Sequence, residues 1–279
     1  MTVTEENTTV DIEFPELEEL TFEVLPGDIG VLRINRPDRM NSQTFRMFRE
    51  YGEAAFALRD APLRALIVTG TGTRSFCAGF DLDEVGRISE MGVREFLKFQ
   101  ETATGGIQAL HFLPFPVIAA VHGPATGGGL ALALAADIRL CDPVAKFSAA
   151  FVKVGLSVGE LGTSYHLTRL VGPARAAEIA FSARIVGADE AERIGLVNRV
   201  VPTDELFGAA VELAGQIARN SPAGVRMSKR AIQRNLEVTS YAAALELENR
   251  GQALMTRTRD MPEALAAFVE KRDPRFTGE

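Results

Sequence analysis

The sequence predicts an α/β core followed by a helical C-terminal region. Three observations point there. Short apolar runs alternate with longer amphipathic stretches through the first two thirds of the 279 residues. From Ser164 onward the patterns are mostly helical. Two glycine-bearing loops each follow a short apolar strand. Strands alternating with helices build a sheet with helices packed on it.

Residues 1–19 are acidic and poor in bulky apolar side chains, which reads as a loosely held tail. Residues 20–201 read as the core and 202–279 as the helical region. Leu20–Leu25 and Ile29–Asn35 alternate around Pro26-Gly27-Asp28, a hairpin signal. Ser42 can cap a helix running to about Asp60, with Phe45, Phe48, Tyr51, Ala55 and Leu58 as its apolar stripe. Arg64–Thr69 is a short buried strand. A long helix is expected over Val93–His111, stopped by Pro114 and Pro116, with Val117–Val121 as the next strand. Gly127-Gly128-Gly129 opens a helix through Ala136, and Ile138–Cys141 is again a strand. Ser221-Pro222 has the cap-then-proline form of a helix start, and Asp260 opens the last helix.

Composition narrows the function. Hydrophobic residues make up 46% and charged residues 24%, a globular balance. A net charge of −7 argues against nucleic acid as the main partner, because phosphate neutralisation needs a basic face. Local Lys/Arg clusters could still hold a small anion. Cys77 and Cys141 have no metal or redox spacing, and His111, His122 and His166 stand apart, so no metal site is expected. The longest nearly apolar stretch, Gly127–Ala136, is far shorter than the ~20 residues that span a bilayer. The acidic N-terminus does not resemble a secretory signal, and a cytoplasmic location is the expectation.

Gly70-Thr71-Gly72 lacks the third glycine of a dinucleotide fingerprint, and neither a phosphate loop nor a Gly-x-Ser-x-Gly elbow occurs. Chemistry concentrates in two loops, Ser75–Leu82 and His122–Gly129. Successive glycines at a helix N-terminus let backbone N–H groups approach a ligand, and fixed donors suit a developing oxyanion. The same glycines would also allow close helix–strand packing, and spacing alone does not choose between these.

Longer segments do. FCAGFDL and FPVIAAVHGPATGGGLALALAADIRLC resemble two signature segments of the enoyl-CoA hydratase/isomerase (crotonase) family. The resemblance continues through KFSAAFVKVGL, TSYHLTRLVGPARAAEI and EAERIGLVNRVVP to FVEKRDPRF. It implies a spiral of β-β-α units forming two near-perpendicular sheets, and a helical C-terminal region that mediates homotrimers or hexamers. It also implies a coenzyme A thioester as substrate, with no separate cofactor. The thioester carbonyl is held in that family by two backbone N–H groups, which fall here on Phe80 and Gly128.

The family's hydratases use two glutamates for proton transfer, and their positions hold Ala131 and Phe151 in this chain. Neither side chain can move a proton, so the expectation is slow ordinary hydration. Glu160 matches a region where related isomerases and dehalogenases carry a functional aspartate, in a loop one residue longer. It is the expected acid/base, against the plainer role of a carboxylate near a helix N-terminus. The family's tryptophan at that branch has no counterpart, since Phe151 holds its place. Arg36 and Arg39 resemble basic residues near the CoA phosphates, and Lys271 and Arg272 lie near a C-terminal pair that reaches the nucleotide. Ala78, Asp81, Gly127 and Phe151 complete the expected substrate-binding set, although Asp81 also suits a capping role. The resemblance leaves open an acyl-CoA binding protein with little turnover, and a dehalogenase- or decarboxylase-like reaction.

Overall fold

The computed structural model describes residues 12–279. The hairpin forms from β1 (Leu20–Leu25) and β2 (Ile29–Ile34), which run antiparallel with Leu25 opposite Ile29. Gly27 and Asp28 take positive φ values of 83° and 58° in the turn. Helix α1 (Phe45–Leu58) starts later than Ser42 would have it. Thr44 is the cap, its Oγ1 accepting from the Met47 N–H at 3.0 Å, while the Ser42 hydroxyl donates to Asp81 at 2.9 Å.

The chain continues through β3 (Ala65–Gly70), α2 (Leu82–Ile88) and α3 (Val93–His111). Next come β4 (Val117–Val121), β5 (Pro124–Thr126) and α4 (Gly128–Ala135). A further round gives β6 (Ile138–Cys141), β7 (Lys146–Ser148), α5 (Thr163–Val171) and α6 (Pro173–Ser182). The short pieces β8 (Val186–Gly187), α7 (Ala188–Arg193) and β9 (Arg199–Val200) close the core. Helices α8 (Leu206–Ala218), α9 (Pro222–Asn235), α10 (Tyr241–Met255) and α11 (Asp260–Glu270) finish the chain.

Six strands form one sheet in the order β1-β2-β3-β4-β6-β9, parallel from β2 onward. A second sheet joins β5, β7 and β8. The large sheet is covered on both faces, which explains its unbroken apolar strands. Leu66, Val68, Val117, Ala119 and Val121 face the main core with α1, α3 and α4. Ala65, Ile67, Ile118 and Ala120 face the other way, onto Leu206, Ala210 and Ala214 of α8. The α/β core with terminal helices is therefore the observed architecture.

The expected loose tail needs correction in its second half. Ile12, Phe14 and Leu17 pack against the core, and the Glu18 and Glu19 N–H groups donate to the Glu50 carboxylate at 3.1 and 3.0 Å. Three apolar residues spaced through an acidic stretch suffice to dock it; residues 1–11 lie outside the described part. Among the described residues no helix is long and apolar enough to cross a membrane.

The helices after α8 are fastened by polar ties. Lys229 of α9 is buried and bonds to Asp137 at 2.7 Å and to the Phe115 carbonyl at 2.9 Å. Ser221 caps α9 and donates to Asp260 at 2.6 Å. Asp260 also accepts from the Thr277 and Gly278 N–H groups at 2.8 and 3.1 Å. Outside these ties α11 exposes Leu265, Phe268 and Val269.

Candidate active site

The loop after β3 is laid against the segment after β4. Phe76 N–H donates to the His122 carbonyl at 2.6 Å, Cys77 N–H to Pro124 at 3.1 Å, and Thr126 N–H returns to Cys77 at 3.1 Å. Gly79 has φ +99°, and a Cβ there would stand 2.6 Å from the Thr126 carbonyl oxygen. A Cβ on Gly129 would collide with the Cys77 carbonyl. Both glycines are thus required by close backbone approach.

That approach also frees two donors. Gln43 and Phe80 form an isolated parallel bridge, in which Gln43 bonds the residues flanking Phe80: its N–H reaches Gly79 O at 2.7 Å and its carbonyl takes Asp81 N–H at 2.7 Å. Phe80's own N–H is left out of the pairing. Gly128 is the first residue of α4, where helix N–H groups lack internal partners. Neither the Phe80 nor the Gly128 N–H has an acceptor among the described residues. Close packing, one of the two glycine roles that spacing left open, is therefore observed, and the two N–H groups stand without acceptors beside it.

Both residues line a cavity of about 150 Å³. Phenylalanines dominate its wall: Phe48, Phe80, Phe96 and Phe99 lie beside Phe151, and Phe80 stacks on Phe99 with centroids 5.7 Å apart. Ala78 and Gly127 also line it. Glu160 is the cavity's acid, half-buried in the loop before α5. That loop turns through Leu161 at φ 49°, an uncommon conformation for a leucine, and Gly162 at φ 78°. Burial raises the Glu160 carboxyl above its usual range, against a lowering hydrogen bond from Gln100. The Gln100 Nε2 donates to Glu160 Oε1 at 2.9 Å and belongs to α3, sixty residues earlier in the chain. Backbone donors and a carboxyl that line one apolar cavity can stabilise an oxyanion and move a proton.

Other expected site residues go elsewhere. Asp81 is buried and does not line the cavity; it caps α2 through the Asp83 N–H at 3.1 Å. Arg36 and Arg39 each bond it at 2.9 Å. Burial pushes the Asp81 carboxyl up, but these two arginines, the Asp83 N–H and Ser42 together hold it well below the usual range. Asp81 therefore has the capping role that the sequence also allowed, with two arginines on its carboxylate. Arg36 also pairs with Glu19 at 3.2 Å, and Arg39 with Asp83. Arg272 is paired with Glu263 and Glu270, both at 2.6 Å, and Lys271 ends α11 in a left-handed conformation. Neither lines the cavity. Ala131 is buried within α4. Glu84 accepts from the Phe45 N–H at 2.6 Å.

The remaining nucleophile candidates are quiet. Cys77 and Cys141 are buried thiols, each pushed up to about 12 by burial. Burial, with smaller contributions from His111, Arg139 and Arg169, drives His166 down to about 4. Among the described residues no group of three His, Cys, Asp or Glu could hold a metal ion.

The fold agrees with that of related chains. Residues 26–279 match the family model described as enoyl-CoA hydratase/isomerase. A Mycobacterium bovis protein named "probable enoyl-CoA hydratase" is 41% identical over 256 residues, 90% of each chain. A crotonyl-CoA hydratase of Syntrophomonas wolfei is 39% identical over 249 residues, 89% of this chain and 94% of that one. The crystal structure of an enoyl-CoA hydratase from Bacillus anthracis superposes with a TM-score of 0.88 at 32% identity, covering 94% of this chain and all of the other. With a family match over nearly its whole length and relatives this similar, the chain belongs to the enoyl-CoA hydratase/isomerase family.

Proposed function

We propose that the chain turns over an unsaturated or aromatic acyl-CoA by hydratase/isomerase-type chemistry, with the Phe80 and Gly128 N–H groups on the thioester oxygen and Glu160 as the acid/base. The observation that carries this reading is the pair of unpartnered N–H groups on residues that line the same cavity as a carboxyl with a raised pKa. Two N–H donors stabilise negative charge on the thioester oxygen and make an enolate accessible. Glu160 as carboxylate takes a proton from a carbon next to the carbonyl or from its vinylogous position. As the acid it returns that proton to the other end of the enolate system. Such a shift breaks one C–H bond and forms another, so a single carboxyl suffices. Hydration adds a water oxygen to the β-carbon and a proton to the α-carbon, and the same carboxyl can serve it in turn as base and acid. A raised pKa brings the two protonation states closer to balance near neutrality, which favours both halves of the transfer. The phenylalanine wall fits a flat conjugated or aromatic acyl group.

Ala131 and Phe151 led to the expectation of slow hydration, but the names of the relatives give no support to that doubt. Hydration and proton shift are therefore both part of the test. Crotonyl-CoA and longer enoyl-CoAs are mixed with the wild-type chain and with Glu160→Gln, and loss of the enoyl chromophore and product identity are followed. Turnover by wild type with unchanged acyl-CoA binding but lost turnover in the variant is the expected result. Equal turnover by both would remove Glu160 from the chemistry. Binding without turnover by wild type, on every acyl-CoA tried, would favour an acyl-CoA binding protein, the reading to which the two non-acidic positions otherwise lend weight. Specificity for the CoA ester over the free acid, by calorimetry, checks the ligand class.

The apolar residues exposed on α11 support the further proposal that the chain assembles into trimers or hexamers.

A further inference from the structure

Gln43 is completely buried, yet its side-chain oxygen has no hydrogen-bond partner. A buried amide oxygen without a donor costs stability, and an apolar side chain of similar size would remove that cost. The rest of the residue is fully engaged at one place. Its backbone N–H and carbonyl bracket Phe80, each in a bond of 2.7 Å. Its side-chain Nε2 donates to the Gly128 carbonyl and to the Tyr51 hydroxyl, both at 3.3 Å. Its Oε1 packs so closely on Gly128 that a Cβ there would collide with it. Tyr51 is itself fixed, its hydroxyl donating to Met47 Sδ at 3.2 Å. One residue therefore touches both loops at the two cavity-lining positions whose N–H groups have no acceptor among the described residues. Gln43 does not line that cavity and stands behind its wall.

We propose that Gln43 is a positioning residue that fixes the Phe80 and Gly128 N–H groups relative to each other, the backbone setting one and the side chain the other. Chain connectivity does not hold these donors together, since they lie on loops after different strands. A donor pair stabilises an oxyanion only if both donors are held at 2.7–3.1 Å from one point. Gln43 supplies a rigid link between them, and Tyr51 keeps its amide from swinging away. The unpartnered Oε1 is the cost of a polar group placed for the loops rather than for the core. This inference rests on the acyl-CoA reading above.

The test uses Gln43→Leu and Gln43→Met, which keep the size of the side chain and the backbone bridge but delete the Nε2 donor. The probe is hexadienoyl-CoA, whose absorption moves to longer wavelength when its thioester carbonyl is polarised. The spectrum is read immediately on mixing, with binding affinity and melting temperature measured alongside. In wild type the bound probe is expected to show a red shift. In both variants the shift should fall below half, affinity should weaken by about tenfold at most, the scale of one hydrogen bond, and the melting temperature should stay level or rise. A purely structural role predicts the reverse, with a lower melting temperature and an intact shift. A folded variant with the full shift overturns the proposal, and so does failure of both variants to fold, since the amide would then be serving the core. If the wild-type chain binds the probe without any shift, the acyl-CoA reading falls and this inference falls with it.

Discussion

Glu160 is half-buried, and burial holds its carboxyl above the usual range. Its folded pKa exceeds its unfolded one, so between the two values the native state binds the extra proton and stability declines as pH rises. Glu160→Gln is therefore expected to be more stable than wild type near neutral pH, the difference shrinking as the solution is taken toward the ordinary carboxylate range. Thermal melts across pH check this. In activity the same substitution is expected to cost roughly a hundred- to ten-thousand-fold. Gln100 lowers the Glu160 pKa by donating to the charged form. Gln100→Leu should move the rising limb of the pH–rate profile to higher pH, and a limb that does not move would detach Gln100 from the acid/base. Some of these residues were legible in the sequence and some were not. Phe80 and Gly128 stand in motifs with a fixed spacing, and Glu160 is the carboxylate in a loop one residue longer than its counterpart. Gln100 and Gln43 carry no local signal: one is a polar residue in a long amphipathic helix, and the other reads as part of a helix start. Their partners are distant in sequence and adjacent only once the sheet has formed.

Among the elements, the head of α4 is where geometry is tightest. Gly129→Ala would drive a methyl into the Cys77 carbonyl, so it should destabilise the chain and loosen the two loops together. Gly86, inside α2, has nothing within 4 Å of its would-be Cβ. Gly86→Ala should stabilise by up to about 1 kcal/mol through helix propensity alone. Denaturant melts of the two variants should move in opposite directions. The long helix Val93–His111 was legible because periodicity accumulates, and Val117–Val121 and Ile138–Cys141 because their apolar runs are bounded by breaks; all three have the bounds that their patterns give. The two- and three-residue strands β5, β7, β8 and β9 offer no period to read and are defined by their partners. The α1 boundary slipped because Ser42 and Thr44 are both competent caps, and Ser42 is claimed by Asp81 from across the fold. Helix α2 went unread because its cap, Asp81, sits within a motif that draws attention for another reason.

At the scale of the whole molecule, α8 is packed on the sheet, and the helices after it are held by polar ties. Lys229 is the main one, and burial lowers its pKa while Asp137 raises it. Lys229→Met removes the cation and leaves the half-buried Asp137 with the Val117 N–H as its partner, so a loss of about 1–3 kcal/mol is expected. Sedimentation should show whether assembly weakens as α9 loosens, and trimers or hexamers in the wild type are the expected state. The order of events in time follows from the register of β3 and β4, in which Leu66 lies opposite Val117. The loops carrying Phe80 and Gly128 exist as a pair only after that long-range pairing closes. Helices form from near neighbours and so form early, whereas pairings between distant segments are slow. On dilution from denaturant, helical circular dichroism should therefore recover first. The ability to shift a bound acyl-CoA spectrum should lag behind it, at the pace of the central strands.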